Sequence, residues 1–223
     1  SQAERYDEIN AVLPVAVAQK AKAERVRQFV FLSTMAVYGL TAPYGKTVTI
    51  TAQTPLYPTD YYGQSKAKAE RKLLALEDDG FRVAILRPPM IYGKGCKGNY
   101  QALRAFAQKM PCFPKIGNGR SMLYVGNLNR LVQLLLDSGE GGIFCPQDGE
   151  YVDTGRMVQA IARAQGRSLS LIPGFGWALS LLRHASPKID KAFGSLRYDQ
   201  ALSSFSQDYR VFSWEQAVRE SEA

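Results

Sequence analysis

Tyr62 and Lys66 stand four residues apart in Tyr62-Gly63-Gln64-Ser65-Lys66, at the head of a helical pattern. That spacing puts both side chains on one helix face. A phenol with a reference pKa of about 10 is a poor base near neutral pH, and a cation one turn away favours the phenolate. Tyr62 can then exchange a proton with a substrate hydroxyl or carbonyl. Such a pair also occurs on ordinary solvated helix faces, so its meaning depends on its surroundings. Upstream, Leu32-Ser33-Thr34 closes a strand-like run and leads into Val37-Tyr38-Gly39. A hydroxyl at the carboxyl end of a strand lies where open α/β sheets bind ligands. From there Ser33 or Thr34 can share the oxygen that Tyr62 serves. Downstream, Leu86-Arg87-Pro88-Pro89-Met90-Ile91-Tyr92-Gly93 again leaves the carboxyl end of a strand.

The elements that must hold these residues follow from periodicity. Ile9 to Val26 predicts a helix, with Pro14 marking a kink or a start. Phe29 to Leu32 and Arg82 to Arg87 are short apolar runs of the kind that form buried parallel strands. A Gly-, Thr- and Pro-rich loop is expected from Tyr38 to Asp60, and a helix from Tyr62 to Leu76. Further helices are expected over Asn99 to Met110, Leu128 to Asp137, Thr154 to Gln165 and Trp177 to His184. Gly142 to Cys145 and Ser168 to Ile172 read as strands. Ser213-Trp214-Glu215-Gln216 matches a capping box before a last short helix. This order predicts an α/β protein with a parallel sheet. A helix comes first, with no strand for it to cover, so an N-terminal portion is expected to be missing.

Composition narrows the class. The 223 residues are 46% hydrophobic and 22% charged, as in globular proteins. No apolar run is long enough to span a membrane, and the first ten residues do not form a signal peptide. Three Cys without a CxxC pair give no disulfide framework and point to a reducing, cytoplasmic setting. A single His excludes the common zinc sites, so no metal is expected. The formal charge is +8, which by itself suggests nucleic acid. The excess lies entirely between Gly80 and Leu136, where nine Lys and Arg meet no Asp or Glu. These cations are spread over strands, loops and partly apolar helices, without the interleaved aromatics of a single-strand binder. They suit a local anion site better than a nucleic acid.

With Thr34, Val37-Tyr38-Gly39, Tyr62-x-x-x-Lys66 and Arg87-Pro88-Pro89-Met90-Ile91-Tyr92-Gly93 in this order, the sequence resembles the extended short-chain dehydrogenase/reductases. Within them it is similar to the nucleotide-sugar epimerases and dehydratases of the UDP-glucose 4-epimerase type. The resemblance implies a Rossmann-like doubly wound sheet over residues 1–92 and 128–148. A smaller α/β substrate domain would cover 93–127 and 149–223. It implies NAD as cofactor, NADP being the variant, and a nucleotide-sugar substrate, with a homodimer as the common assembly and no nucleic-acid or membrane partner. Tyr62 would be the acid/base, Lys66 would hold the nicotinamide ribose and lower the Tyr62 pKa, and Thr34 would share the hydrogen bond. Leu32, Ser33, Tyr62, Lys66, Pro88 and Ile91 would face the cofactor. Met35, Pro89, Asn99 and Arg120 would face the substrate, the last two at its diphosphate, where a helix N-terminus and a guanidinium suit phosphate oxygens. Taken alone, Arg120 is a turn arginine and Asn99 a helix cap.

Several features depart from the pattern. The family's Asp after the Val-x pair is Asn127 here, a change in a structural hydrogen bond. Lys188 and Arg197 are both candidates for a second diphosphate contact. No Gly-rich loop precedes Ile9. Gly93-Lys94-Gly95-Cys96-Lys97-Gly98 spells GxGxxG, but no acidic residue follows to hold a ribose, so it reads as a substrate loop. His184 reads as structural, Cys96 has no evident activating group, and Trp177 and Trp214 read as anchors. Epimerisation and reduction of a 4-keto sugar use the same residues. Dehydration needs acidic groups just after the Thr, and Met35 and Ala36 stand there instead.

Overall fold

A computed structural model of the chain describes residues 1–96, 99–174, 181 and 188–223. The chain runs through α1 (Gln2–Asp7), a π-helical stretch (Glu8–Val12), α2 (Leu13–Ala23), β1 (Gln28–Leu32), a 3-10 turn (Met35–Tyr38), β2 (Thr47–Ile50), α3 (Tyr61–Leu74), β3 (Arg82–Leu86) and β4 (Met90–Tyr92). It continues through α4 (Asn99–Lys109), β5 (Cys112–Pro114), β6 (Met122–Tyr124), α5 (Val125–Ser138), β7 (Gly142–Phe144), α6 (Thr154–Ala164) and β8 (Ser170–Ile172). It ends with α7 (Lys188–Phe193), β9 (Ser195–Tyr198), a 3-10 turn (Gln200–Ser203) and α8 (Trp214–Glu222). The helix expected over Trp177 to His184 lies outside the described residues apart from Leu181.

β3 shows why this is a doubly wound sheet. Alternate residues of a strand face opposite sides, and both sides of this one are apolar. Val83 and Ile85 pack with Phe31 of β1 and with Ala11, Ala18, Ala69 and Leu73 on the inner faces of the first helices and α3. Ala84 and Leu86 pack with Leu128, Leu131, Leu134 and Leu135 of α5. β3 lies between β1 and β7, all three parallel, with Phe31 opposite Ile85 and Leu86 opposite Phe144. This is the expected α/β architecture with a Rossmann-like parallel sheet.

Five strands, β2, β4, β5, β6 and β9, were not legible as such. β2 forms inside the expected loop and pairs in parallel with β9, Thr47 opposite Ser195. β5 pairs with β8, and β4 with β6. Each is three or four residues long and finds its partner far along the chain, so local pattern has little to register. Around them a separate core gathers Tyr92, Tyr100, Phe113, Met122, Met157, Ile161 and Trp214. Trp214 is thus a core anchor, as expected.

The first helix begins earlier than expected, at Gln2, with a capping box from Ser1 and Glu4. The kink at Pro14 takes the form of the π-helical stretch that precedes it. Proline has no N–H for the carbonyl four residues back, here that of Asn10, and a wider turn accommodates the interruption. The helix expected from Thr154 is capped by Asp153 instead, whose carboxylate accepts from the Arg156 N–H at 2.8 Å. The Ser213–Gln216 capping box forms as read.

Candidate active site

α3 starts where Asp60 accepts from the Gly63 N–H at 2.7 Å. This cap fixes the first turn, which carries Tyr62. Gly63 lets that turn lie against the 3-10 turn after β1, because a Cβ there would stand 2.7 Å from the Ala36 carbonyl oxygen. The Thr34 hydroxyl lies on the Tyr62 side of this turn and favours the ionised phenol. Thr34 itself caps the 3-10 turn by accepting from the Ala36 N–H at 3.2 Å. Tyr62 is 37% exposed, and the Tyr6 ring of α1 flanks it at 6.1 Å between centroids. Partial burial raises the phenol's pKa, as do the Asp60 carboxylate and Tyr6, while the Thr34 hydroxyl opposes them.

Lys66 behaves differently from the expectation. Its Nζ donates to the Leu32 carbonyl at 2.8 Å and lies 4.6 Å from the centre of the Phe31 ring. It does not contribute to the Tyr62 shift, which is upward. The physical reason is its tether: the ammonium is drawn to the end of β1 rather than toward the phenol. Burial lowers the pKa of Lys66, and Glu70, one turn further along α3, raises it.

The remaining expected residues fall into two groups. At the carboxyl ends of β1 and β3, Leu32 is 44% exposed while Ser33, Pro88 and Pro89 are buried. The Ser33 hydroxyl donates inward to Glu70. Met35 N–H donates to the Pro88 carbonyl at 2.9 Å, which joins the two strand ends. Met35 packs beside Val37 and Tyr38, and Ile91 packs against the α5 side of the sheet. From Pro89 the chain passes into β4, where Met90 opens a second region.

That region is a cavity of about 400 Å³. Asn99, the first residue of α4, and Arg120 both line it, with Met90, Leu103, Phe106, Phe113, Met122, Thr154 and Phe193. Arg120 donates to the Gly194 carbonyl at 3.1 Å, and burial lowers its pKa. It is the one charged residue in that lining among the described residues. An apolar cleft with a guanidinium and a few polar groups is the usual form of a small-molecule site. Phe106, Phe113, Thr154 and Phe193 were missed because they come from four separate segments.

Asn127 is fully buried, donating to Asp148 at 2.8 Å and accepting from the Phe212 N–H at 3.0 Å, so its role is structural as expected. Arg197 donates to Thr49 at 3.2 Å and lies over the Tyr151 ring at 4.5 Å. The side chain of Lys188, and residues Lys97, Gly98, Trp177 and His184, lie outside the described residues. The buried partners Glu70, Arg87 and Tyr38 were also missed, although Glu70 continues the Tyr62 and Lys66 helix face at the same spacing.

Residues 1–141 match the NAD dependent epimerase/dehydratase family. A UDP-glucose 4-epimerase of Vibrio cholerae is 30% identical over 203 residues, covering 87% of this chain and 61% of that protein. The chain therefore spans less than two thirds of that relative. Among solved structures, a UDP-glucuronic acid 4-epimerase from Bacillus cereus in complex with NAD superposes with a TM-score of 0.72 at 14% identity, over 100% of this chain and 69% of that one. A dTDP-4-dehydrorhamnose reductase from Clostridium acetobutylicum gives 0.74 at 17% identity, over 99% and 73%.

Proposed function

Because the chain belongs to the NAD dependent epimerase/dehydratase family, we propose that it carries the proton-transfer and substrate-side residues of a nucleotide-sugar 4-epimerase. The observation that carries this reading is that Thr34, just past the carboxyl end of a parallel strand, caps the 3-10 turn against which the Tyr62-bearing first turn of α3 packs. Residues 1–92 with 128–148 form the dinucleotide side in this reading, and 93–127 with 149–223 the substrate side.

The residues present fit the nicotinamide end of NAD. Leu32 is an apolar residue left open at a strand's carboxyl end, where α/β sheets take their ligands. Beside it Lys66 has three N–H donors, and the Leu32 carbonyl takes one of them. The others suit ribose hydroxyls. NAD, when bound, accepts a hydride from the sugar and returns it to the opposite face.

Tyr62 takes the proton of the sugar hydroxyl as hydride leaves its carbon, and gives it back when the 4-keto sugar is reduced. Thr34 donates to the same oxygen. Arg120 and Asn99 hold the diphosphate, and the apolar wall of the cavity holds the nucleoside. Met35 and Ala36 supply no acid or base, so the keto sugar is not dehydrated.

The test is incubation of the protein with UDP-glucose or UDP-N-acetylglucosamine and NAD. The 4-epimer is expected, and Tyr62→Phe is expected to lower its rate by 100-fold or more, roughly the share of general acid–base catalysis. Undiminished activity in Tyr62→Phe would overturn the assignment. Stoichiometric loss of NAD(P)H with a keto sugar, and no epimer, would mark a reductase built on the same residues.

A further inference from the structure

A second cleft, of about 370 Å³, opens beside Tyr62 on the side of the first helices. Gln2, Arg5, Tyr6, Ile9 and Asn10 line it together with Tyr62 itself. Its volume falls within the range of small-molecule sites, roughly 300–1,000 Å³. The two walls are fastened to each other. Asn10 donates to the Ser65 hydroxyl at 3.2 Å, and Ser65 donates to the Tyr62 carbonyl at 2.8 Å. The Tyr6 and Tyr62 rings stand 6.1 Å apart between centroids.

α1 sorts its charges between two grooves. Glu4 and Asp7, three residues apart and so on one helix face, line a groove with Tyr61, Gln64 and Lys68, where Lys68 pairs with Asp7 at 2.6 Å. Arg5 lines the Tyr62 cleft instead, and it is the one charged residue there among the described residues. No carboxylate pairs with it among those residues.

We propose that Arg5 is a specificity-determining residue, whose guanidinium takes a carboxylate at C-6 of the sugar, so that the substrate class is a nucleotide-linked uronic acid. The proposal rests on the reading of Tyr62 as acid/base. With the C-4 hydroxyl at the phenol, the neighbouring sugar positions are the C-3 hydroxyl and C-5 with its C-6 substituent. A cleft that contains the phenol therefore faces one of these. A guanidinium offers only donors, in a planar fork that matches a carboxylate two bonds at a time. A C-3 hydroxyl would engage one prong of that fork and leave its charge unanswered. With Glu4 and Asp7 in the other groove, no carboxylate lines the cleft to repel the incoming one.

The experiment titrates the 223-residue chain, in the presence of NAD, with UDP-glucose and with UDP-glucuronate by calorimetry. The two ligands differ at C-6 alone, and the readout is the ratio of their dissociation constants. The parent is expected to favour UDP-glucuronate by about 10-fold, the share of one charge-assisted pair. Arg5→Gln is expected to bring the ratio close to one. Arg5→Lys keeps the charge without the fork and is expected to fall between them. Arg5 is exposed, so both variants are expected to fold, which far-ultraviolet circular dichroism checks. A ratio near one in the parent, a ratio that Arg5→Gln leaves unchanged, or binding of neither ligand would overturn the proposal. Equal weakening of both ligands in Arg5→Gln overturns it too, and places Arg5 at the diphosphate. Absence of epimerisation in the assay above, with the ratio and its loss intact, would remove the acid/base reading and leave the Arg5 contact standing.

Discussion

The Thr34 hydroxyl accepts from the Ala36 N–H and acts on the Tyr62 phenol. That action is the one influence that lowers the Tyr62 pKa, against partial burial, Asp60 and Tyr6, which raise it. Thr34→Val keeps the side-chain shape and removes the hydroxyl. The phenol of that variant is expected to ionise at higher pH than in the parent, because only the raising influences remain. A base works through its deprotonated form, so the rising limb of the pH–rate profile moves to higher pH with it. Difference titration near 295 nm against Tyr62→Phe checks the first statement, and the rate profile checks the second. An unchanged phenol titration would show that the Thr34 hydroxyl carries no weight.

At the scale of elements, the site depends on how closely α3 approaches the turn after β1. Gly63 sets that distance. Gly63→Ala puts a methyl 2.7 Å from the Ala36 carbonyl oxygen, a backbone atom that yields only if the helix or the turn moves. The expected loss is about 1–3 kcal/mol of stability, as for other overpacked positions, together with separation of Tyr62 from Thr34. Urea unfolding measures the first, and a Tyr62 titration shifted as in Thr34→Val measures the second. Full stability would mean that the backbone relaxes freely there. The same helix shows what a sequence discloses. The Tyr62–Lys66 face was legible because a single helix places it, and so were the buried strands β1 and β3, each a continuous apolar run. The direction of Lys66 was not, because the Leu32 carbonyl that captures it belongs to another element. Nor was the inward turn of Ser33, whose partner Glu70 lies 37 residues away. The cavity wall was half legible: Asn99 and Arg120 stand in recognisable motifs, whereas Phe113 sits in a three-residue strand that exists only through its pairing with β8.

For the molecule as a whole, charge and burial are distributed unevenly. The acid-free segment from Gly80 to Leu136 is not a bare cationic surface: Arg87 is spent on Glu70 and Arg104 on Glu222, while Arg120 faces the cavity. The tyrosines carry a stronger consequence. Tyr38, Tyr92, Tyr100, Tyr198 and Tyr209 are buried, and burial raises the pKa of each, to about 12 for Tyr38. In the unfolded chain a phenol titrates near 10. A group with a raised native pKa contributes stability that is intact below its unfolded value and is lost as pH rises through the native one. For Tyr38 that window is about pH 10 to 12. Tyr38 removes up to about 1.4 kcal/mol per pH unit across that window, and the other four phenols act in the same direction. The chain is therefore expected to unfold cooperatively above pH 10, before its buried phenols ionise in place. Absorbance near 295 nm should rise in one step that coincides with loss of the far-ultraviolet circular dichroism. Tyr38→Phe should flatten the fall of stability with pH by about one proton. A gradual rise in absorbance with native dichroism would show instead that these phenols titrate within the folded protein.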